Sequence, residues 1–285
     1  MPTICIANEK GGVGKTTTAV NLAAGLSLAL QNSSGTSGRV LLVDMDPQGH
    51  ALLAAAYGSH NADGHASLSA LLTESPPPSV QPMIRPSSHH PNLFVIPGSR
   101  SAMVEAARLL PTLMANESRL QRALAPIQGQ FSYIIIDTPP TTGDLLVNAL
   151  VAATHVLIPV ETSYLGVSGL LELQRTIDAV RLHFRPDLEI LGYLPSLCEE
   201  QRSETREILY QLQQRYPGQV LAPIHKSTEL SYAHSSHMDI FTYRPPRQRQ
   251  PGQLASSSRA TQEFAGLVNV ILNRHSKSAD ALSTD

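Results

Sequence analysis

The sequence predicts an α/β protein with a mostly parallel, twisted sheet flanked by helices. Short β-branched and aliphatic segments alternate with longer segments that carry apolar residues at helical spacing, as expected when crossover helices join parallel strands. A glycine-rich run, Lys10-Gly11-Gly12-Val13-Gly14-Lys15-Thr16, separates the first predicted strand from the first predicted helix. With 285 residues, of which 42% are hydrophobic, the chain can form one large domain with a full core.

The elements follow in a regular order along the chain. We expect strands at 3–7, 40–43, 93–96, 133–136, 156–160 and 188–191. Helices are expected at 16–30, 101–124, 167–183, 204–215 and 259–273, with loops at 32–38, 74–91 and 244–252 that are rich in Ser, Gly or Pro. These elements predict a single domain over 1–275, followed by a polar, disordered tail at 276–285.

The glycine-rich run predicts a phosphate-binding site. A glycine turn that opens a helix directs consecutive backbone N–H groups at phosphate oxygens, and the helix dipole adds to this attraction. Lys15 at the end of the turn can reach the β- and γ-phosphates, and the Thr16 hydroxyl can bind Mg²⁺. The chain has only four lysines and places two of them in this run. A chance glycine turn is therefore the weaker interpretation.

Aspartates follow two of the predicted strands. Asp44 and Asp46 come directly after the strand 40–43, and Asp137 ends the apolar strand 133–136. Such positions lie beside the crevice where parallel sheets bind ligands. A carboxylate after an apolar strand is also the Walker B arrangement, which holds Mg²⁺ through its water shell. Simple turn formation is the competing interpretation, because Asp46 precedes a proline, but the phosphate loop upstream favours a nucleotide site.

The same residues resemble a known family. The run 9–17, Glu-Lys-Gly-Gly-Val-Gly-Lys-Thr-Thr, is similar to the deviant Walker A loop of the ParA/MinD ATPases, which are P-loop NTPases. Residues 44–49, Asp-Met-Asp-Pro-Gln-Gly, and the helix segment 19–26 also resemble ParA proteins. The similarity extends over roughly residues 3–272 and is closest to the short, Soj-like form.

The resemblance implies a role for each residue of the site. Lys10 would be the signature lysine that reaches the nucleotide of a partner subunit, and Lys15 would bind phosphates within its own subunit. Asp46 would orient the attacking water, so the expected catalytic residues are Lys10, Lys15 and Asp46. The expected cofactors are ATP and Mg²⁺. The nucleotide-binding residues would be Gly11, Gly12, Val13, Gly14, Lys15, Thr16 and Thr17, and the metal-binding residues Thr16, Asp44 and Asp137.

The family function that this resemblance implies is ATP-driven positioning. We expect a slow ATPase that forms a homodimer with ATP and binds DNA non-specifically. It would move a plasmid, a chromosome or a protein body such as a carboxysome, and a ParB-like protein or cargo adaptor would stimulate hydrolysis. Such a protein would be cytoplasmic and nucleoid-associated, with no membrane partner.

The net charge of −2 means that any DNA affinity must come from a local patch. By position, the candidate DNA-binding residues are Arg202, Lys226, Arg244, Arg247 and Arg249. Glu229 occupies a position where the family carries arginine, and its carboxylate would repel phosphates. For the three arginines at 244–249, a solvated charged loop is the competing interpretation.

Two other functional classes share the deviant loop. A membrane-cycling division regulator resembling MinD needs a basic amphipathic C-terminal helix, and residues 267–280 carry no basic stripe opposite an apolar one. Relatives of the nitrogenase iron protein need cysteines that bridge a cluster between subunits, whereas Cys5 and Cys198 are isolated in the sequence. Both classes are therefore disfavoured.

Overall fold

The computed structural model describes residues 1–31, 38–47, 67–164, 166, 169–244 and 258–282. Its strands are β1 (Thr3–Ile6), β2 (Val40–Asp44), β3 (Arg85–Pro86), β4 (Leu93–Ile96), β5 (Tyr133–Asp137), β6 (His155–Glu161) and β7 (Glu189–Ser196). They form one sheet in the order β3-β4-β2-β5-β1-β6-β7. Every pairing is parallel except that of the short edge strand β3 with β4. The predicted fold class is confirmed.

Helices cover both faces of this sheet. In chain order, the described α-helices are α1 (Lys15–Leu30), α2 (Leu68–Thr73), α3 (Arg100–Leu109), α4 (Arg119–Leu124), α5 (Asp144–Ala152), α6 (Leu170–His183), α7 (Ser203–Arg215), α8 (Thr228–Ser235) and α9 (Arg259–Leu282). Among these described helices, none is both long and apolar enough to cross a bilayer.

The core lies on both sides of the sheet, because alternate residues of each strand point to opposite faces. On β1, Ile4 and Ile6 pack with α1 and α9, whereas Cys5 packs on the face covered by α5 and α6. All three side chains are fully buried. Parallel sheets that are covered on both faces show such apolar strands. The carboxyl edge of the sheet is left to carry polar side chains.

Two predicted segments differ from the structure. The single helix expected at 101–124 is broken between Leu109 and Arg119, because Pro111 cannot donate a helical hydrogen bond and Ala115 adopts a φ of 49°. The tail expected to be disordered at 276–285 is helical as far as Leu282, since no Gly or Pro there ends α9. Residues 283–285 lie outside the described residues, as do the predicted loop residues 32–37 and 245–252.

Candidate functional site

The glycine-rich loop joins β1 to α1 at the carboxyl edge of the sheet. Gly12 and Gly14 have φ values of 77° and 86°, in the left-handed region that residues with a side chain rarely adopt. Gly14 caps the N-terminus of α1, and Lys15 is the first helical residue. The Ser196 hydroxyl donates a 2.7 Å hydrogen bond to the Val13 carbonyl and fixes the loop against the end of β7. The loop therefore has the backbone geometry of an anion-binding turn.

Lys15 lies inside this loop. Its side chain is almost fully buried, and its Nζ donates a 2.8 Å hydrogen bond to the carbonyl oxygen of Lys10. Burial lowers the pKa of Lys15, while the negative charges of Asp137 and Asp46 act in the opposite direction. The ammonium group is thus enclosed next to carboxylates and a single carbonyl acceptor, which suits a ligand rich in negative oxygens.

Asp137 and Thr16 form the next part of the site. The Thr16 hydroxyl donates a 2.7 Å hydrogen bond to Asp137 Oδ2. Asp137 is fully buried, and its Oδ1 has no hydrogen-bond partner among the described residues. Burial raises the pKa of Asp137 to about 7, with a further contribution from Asp46, while the Thr16 hydroxyl and Lys15 lower it.

A buried carboxylate oxygen without a hydrogen bond is costly unless a cation binds it. Mg²⁺ prefers oxygen ligands, and it is usually held by one or two carboxylates together with water and substrate phosphates. The Thr16 hydroxyl and the Asp137 carboxylate therefore fit a magnesium site.

Asp44 and Asp46 lie beside Asp137, because β2 pairs with β5 and places Asp44 in register with Asp137. Asp44 is fully buried, and its Oδ1 accepts a 3.1 Å hydrogen bond from the backbone N–H of Asp46. A Cβ atom on Gly98 would lie 2.5 Å from the Asp44 carbonyl oxygen, so glycine allows this close approach. Asp44 thus fixes the turn that carries Asp46, whose side chain is also buried.

The Lys10 side chain contacts the end of β6 and the residues that follow it. Its Nζ forms an ion pair with Glu161 Oε2 and a weaker contact of 3.5 Å with the Ser163 hydroxyl. Glu161 is the last residue of β6, the neighbour of β1 in the sheet. This contact carries no local sequence signal, because 151 residues separate its partners. In this structure the Lys10 side chain is held by its own subunit.

A cavity of about 370 Å³ lies beside the loop. Gly14 and Thr17 line it from the loop and α1, and residues 224–227 line it together with residues of α8 and α9. The volume is in the range of small-molecule sites. Its position next to the phosphate loop suits a nucleoside. Among the lining residues outside the loop, the sequence singled out Lys226, and only as a candidate DNA-binding residue.

The candidate DNA-binding residues divide into three groups. Arg202 Nη2 and Lys226 Nζ both approach the same Glu199 oxygen, at 3.2 and 3.3 Å. The Arg244 guanidinium donates to the carbonyl oxygens of Phe241 and Tyr243 in its own turn. Arg247 and Arg249 lie outside the described residues.

A parallel sheet with a phosphate loop after its first strand, and with carboxylates at the ends of two adjacent strands, defines a P-loop NTPase. Known proteins agree with this class. A family model described as an AAA domain matches residues 1–190. The chromosome partitioning protein ParA of Myxococcus xanthus is 38% identical over 221 residues, which is 78% of this chain and 74% of that protein. The sporulation initiation inhibitor protein Soj of Bacillus subtilis is 35% identical over 85% of this chain and 91% of its own length.

One solved structure is similar over nearly the whole chain. Cobyrinic acid a,c-diamide synthase from Mycobacterium smegmatis, with a bound ATP analog and magnesium, has a TM-score of 0.75 and 28% identity, and the match covers 98% of this chain and 97% of that one. The chain belongs to the ParA/MinD family of deviant Walker A ATPases and is Soj-like.

Proposed function

We propose that this ATPase forms a dimer with ATP, binds DNA non-specifically and positions or segregates a cargo with an adaptor that stimulates hydrolysis. The observation that carries the proposal is the buried pair Lys15 and Asp137 beside the phosphate loop, with Thr16 hydrogen-bonded to Asp137 and one carboxylate oxygen left unpaired. The name of the ParA relative from Myxococcus xanthus, a chromosome partitioning protein, supports partitioning as the kind of process.

ATP and Mg²⁺ are the cofactors that this site suits. The backbone N–H groups of 11–17 and the Lys15 ammonium would bind the phosphates, and the nearby 370 Å³ cavity would receive the nucleoside. Thr16 and Asp137 would hold Mg²⁺, with Asp44 acting through a water molecule. When bound, Mg²⁺ supplies positive charge against the β- and γ-phosphates.

Hydrolysis requires a positioned water molecule and neutralised charge rather than covalent catalysis. Asp46 would accept a hydrogen bond from the attacking water, and its backbone is already fixed by Asp44. Lys10 would leave Glu161 and reach the phosphates bound by a second subunit. Since that step depends on pairing of two subunits, hydrolysis by the chain alone would be slow.

DNA binding would use the surface that carries Arg202 and Lys226, together with the arginines at 244, 247 and 249.

The membrane-cycling alternative has less support. Phe264, Leu267, Val268 and Ile271 form the apolar face of α9, and they are buried in the core cluster that includes α1. That stretch of α9 therefore cannot offer the same face to a bilayer.

A DNA-shift assay with ATP, with ADP and without nucleotide tests the proposal. We expect retarded DNA only with ATP, and no retardation by a Lys15→Ala control that cannot hold the phosphates. Sedimentation with anionic vesicles under the same three conditions provides the comparison. Binding to vesicles with ATP, without binding to DNA, would refute the proposal in favour of the membrane-cycling class.

A further inference from the structure

A groove of about 670 Å³ runs between α6 and α7, outside the nucleotide site. Three large side chains that line it are exposed to solvent, namely Tyr164 at 56%, Leu171 at 49% and Tyr210 at 62%. Apolar and aromatic side chains that gather in one concave surface mark a binding site more often than scattered ones do.

The floor of the groove is preformed. Tyr216 lines it and stacks on Tyr193 with ring centroids 3.8 Å apart. The Tyr216 hydroxyl donates to Gln174 Oε1 at 3.2 Å and so ties α6 to the end of α7. Binding to such a surface orders few additional side chains, which lowers the entropic cost of association.

Charge is distributed unevenly along the groove. At the end of the groove next to Tyr164, Glu204 accepts a 2.9 Å hydrogen bond from the backbone N–H of Tyr164. Glu207 accepts a 2.7 Å hydrogen bond from the Tyr164 hydroxyl. Arg215 lines the opposite end. A ligand that lies along the groove would be favoured by a positive charge beside Glu204 and Glu207.

The end of the groove next to Tyr164 also adjoins the residues that contact Lys10, Glu161 and Ser163. Ser163, which approaches Lys10 Nζ at 3.5 Å, directly precedes Tyr164. Glu161, the ion-pair partner of Lys10, lies three positions before Tyr164. A ligand that moves Tyr164 would therefore act on the segment that holds Lys10.

We propose that this groove binds an apolar segment of a partner protein that carries Lys or Arg at the end next to Tyr164. The inference rests on the proposed function, because it assigns the adaptor to this surface. A second copy of the chain is the weaker occupant. A stable interface of standard size buries roughly 800 Å² on each partner, and the exposed surface of these three side chains covers less than half of that.

Displayed random peptides, selected on the full chain with ATP and Mg²⁺, provide the probe. We expect the selected peptides to combine apolar residues with Lys or Arg. Their affinity, measured by fluorescence anisotropy, should fall at least about tenfold for Leu171→Glu and for Tyr210→Glu. Glu207→Gln should weaken the same peptides. Leu182→Glu is the matched control, since Leu182 is 75% exposed on α6 but does not line the groove.

The inference is overturned if the selection yields no peptide whose binding depends on Leu171 and Tyr210, or if Leu182→Glu weakens binding equally. It is also overturned if Leu171→Glu abolishes the ATP-dependent dimer in sedimentation velocity, because the groove then faces a second copy. ATP binding by the wild-type chain is measured separately. Its absence would refute the proposed function itself, whereas normal ATP binding with failure of the peptide test would refute only the groove.

Discussion

Glu199 is expected to weaken the DNA affinity of this chain. A single oxygen of its carboxylate accepts from both Arg202, at 3.2 Å, and Lys226, at 3.3 Å. These are the two fully described cations on the proposed DNA surface that make ion pairs with an acidic residue. A phosphate must displace the carboxylate before it can pair with either of them. Glu199→Gln preserves the shape of the side chain and removes the competing charge.

The size of the change in DNA affinity caused by Glu199→Gln follows from the solvent exposure of the two ion pairs. The Arg202 and Lys226 side chains are 60% and 62% exposed, so solvent screens both pairs strongly. Exposed ion pairs contribute about 0.2–1 kcal/mol each, and two such pairs give about 0.4–2 kcal/mol. Glu199→Gln should therefore tighten DNA binding by about 2- to 30-fold. Each cation freed for a phosphate contact should also steepen the slope of log K against log salt by about one unit.

The assay is fluorescence anisotropy with a random-sequence duplex and ATP, repeated over a salt series. Glu189→Gln is the matched control, because it changes the net charge equally at the far, amino edge of β7. The reasoning is refuted if Glu199→Gln tightens binding no more than Glu189→Gln does. Normal ATP hydrolysis without DNA in both variants would show that the nucleotide site is intact.

The remaining predictions concern the nucleotide site and pH. Lys15→Ala should abolish ATP binding, measured by calorimetry, because the phosphates lose their enclosed ammonium, whereas Lys10→Ala should bind ATP but lose hydrolysis or stable pairing. Asp46→Ala should trap an ATP-bound dimer in gel filtration, because water alignment fails while the phosphate contacts remain. His275→Phe should reduce acid sensitivity. Burial lowers the pKa of His275 from 6.5 to about 4, so the unfolded state binds more protons in this range and stability falls as pH drops through it. Since His275 is only half-buried, the loss should be roughly 1 kcal/mol, measured by urea unfolding at about pH 7.5 and about pH 5.

Each of these expectations has a result that contradicts it. Equal loss of ATP binding in both lysine variants would exclude a role for Lys10 in a partner subunit. A monomeric Asp46→Ala variant with ATP would move the water-orienting role to Asp44. If wild type and His275→Phe lose the same stability on acidification, the pH dependence arises from other groups.

Contiguous motifs predicted the candidate nucleotide site. Lys15 and Thr16 lie within one loop, and Asp137 ends a strand whose apolar sequence identifies it, so local patterns were enough to name residues that the structure places together. By contrast, α5 was missed because its residues are apolar on nearly every side, which hides helical periodicity. Helix α8 was also not predicted, although the sequence did carry a signal for its start. Ser227 is a favourable N-cap residue, and its hydroxyl accepts a hydrogen bond from the first turn of α8.

Strand β7 extends to Ser196, well beyond the predicted end at 191. Gly192 and Pro195 suggested an early end, because both residues are disfavoured inside strands. The ion pair of Lys226 with Glu199 was also not predictable from the sequence, whereas Arg202 lies only three residues from Glu199. Glu199 and Lys226 meet only because backbone hydrogen bonds join Cys198 to Ile224 and Lys226.

The two lysines of the loop differ because the fold gives them different neighbours. Lys15 is enclosed and donates to the Lys10 carbonyl, an acceptor weaker than a phosphate oxygen, so phosphate binding would displace that contact. The Lys10 side chain is 28% exposed and pairs with a Glu161 that is 32% exposed. Water still reaches both charges of this pair and screens them, whereas the phosphates at a closed interface would attract Lys10 with several negative charges in a drier environment. Under the proposed pairing, the Glu161 contact would hold Lys10 in the single subunit and release it to the nucleotide of a partner subunit.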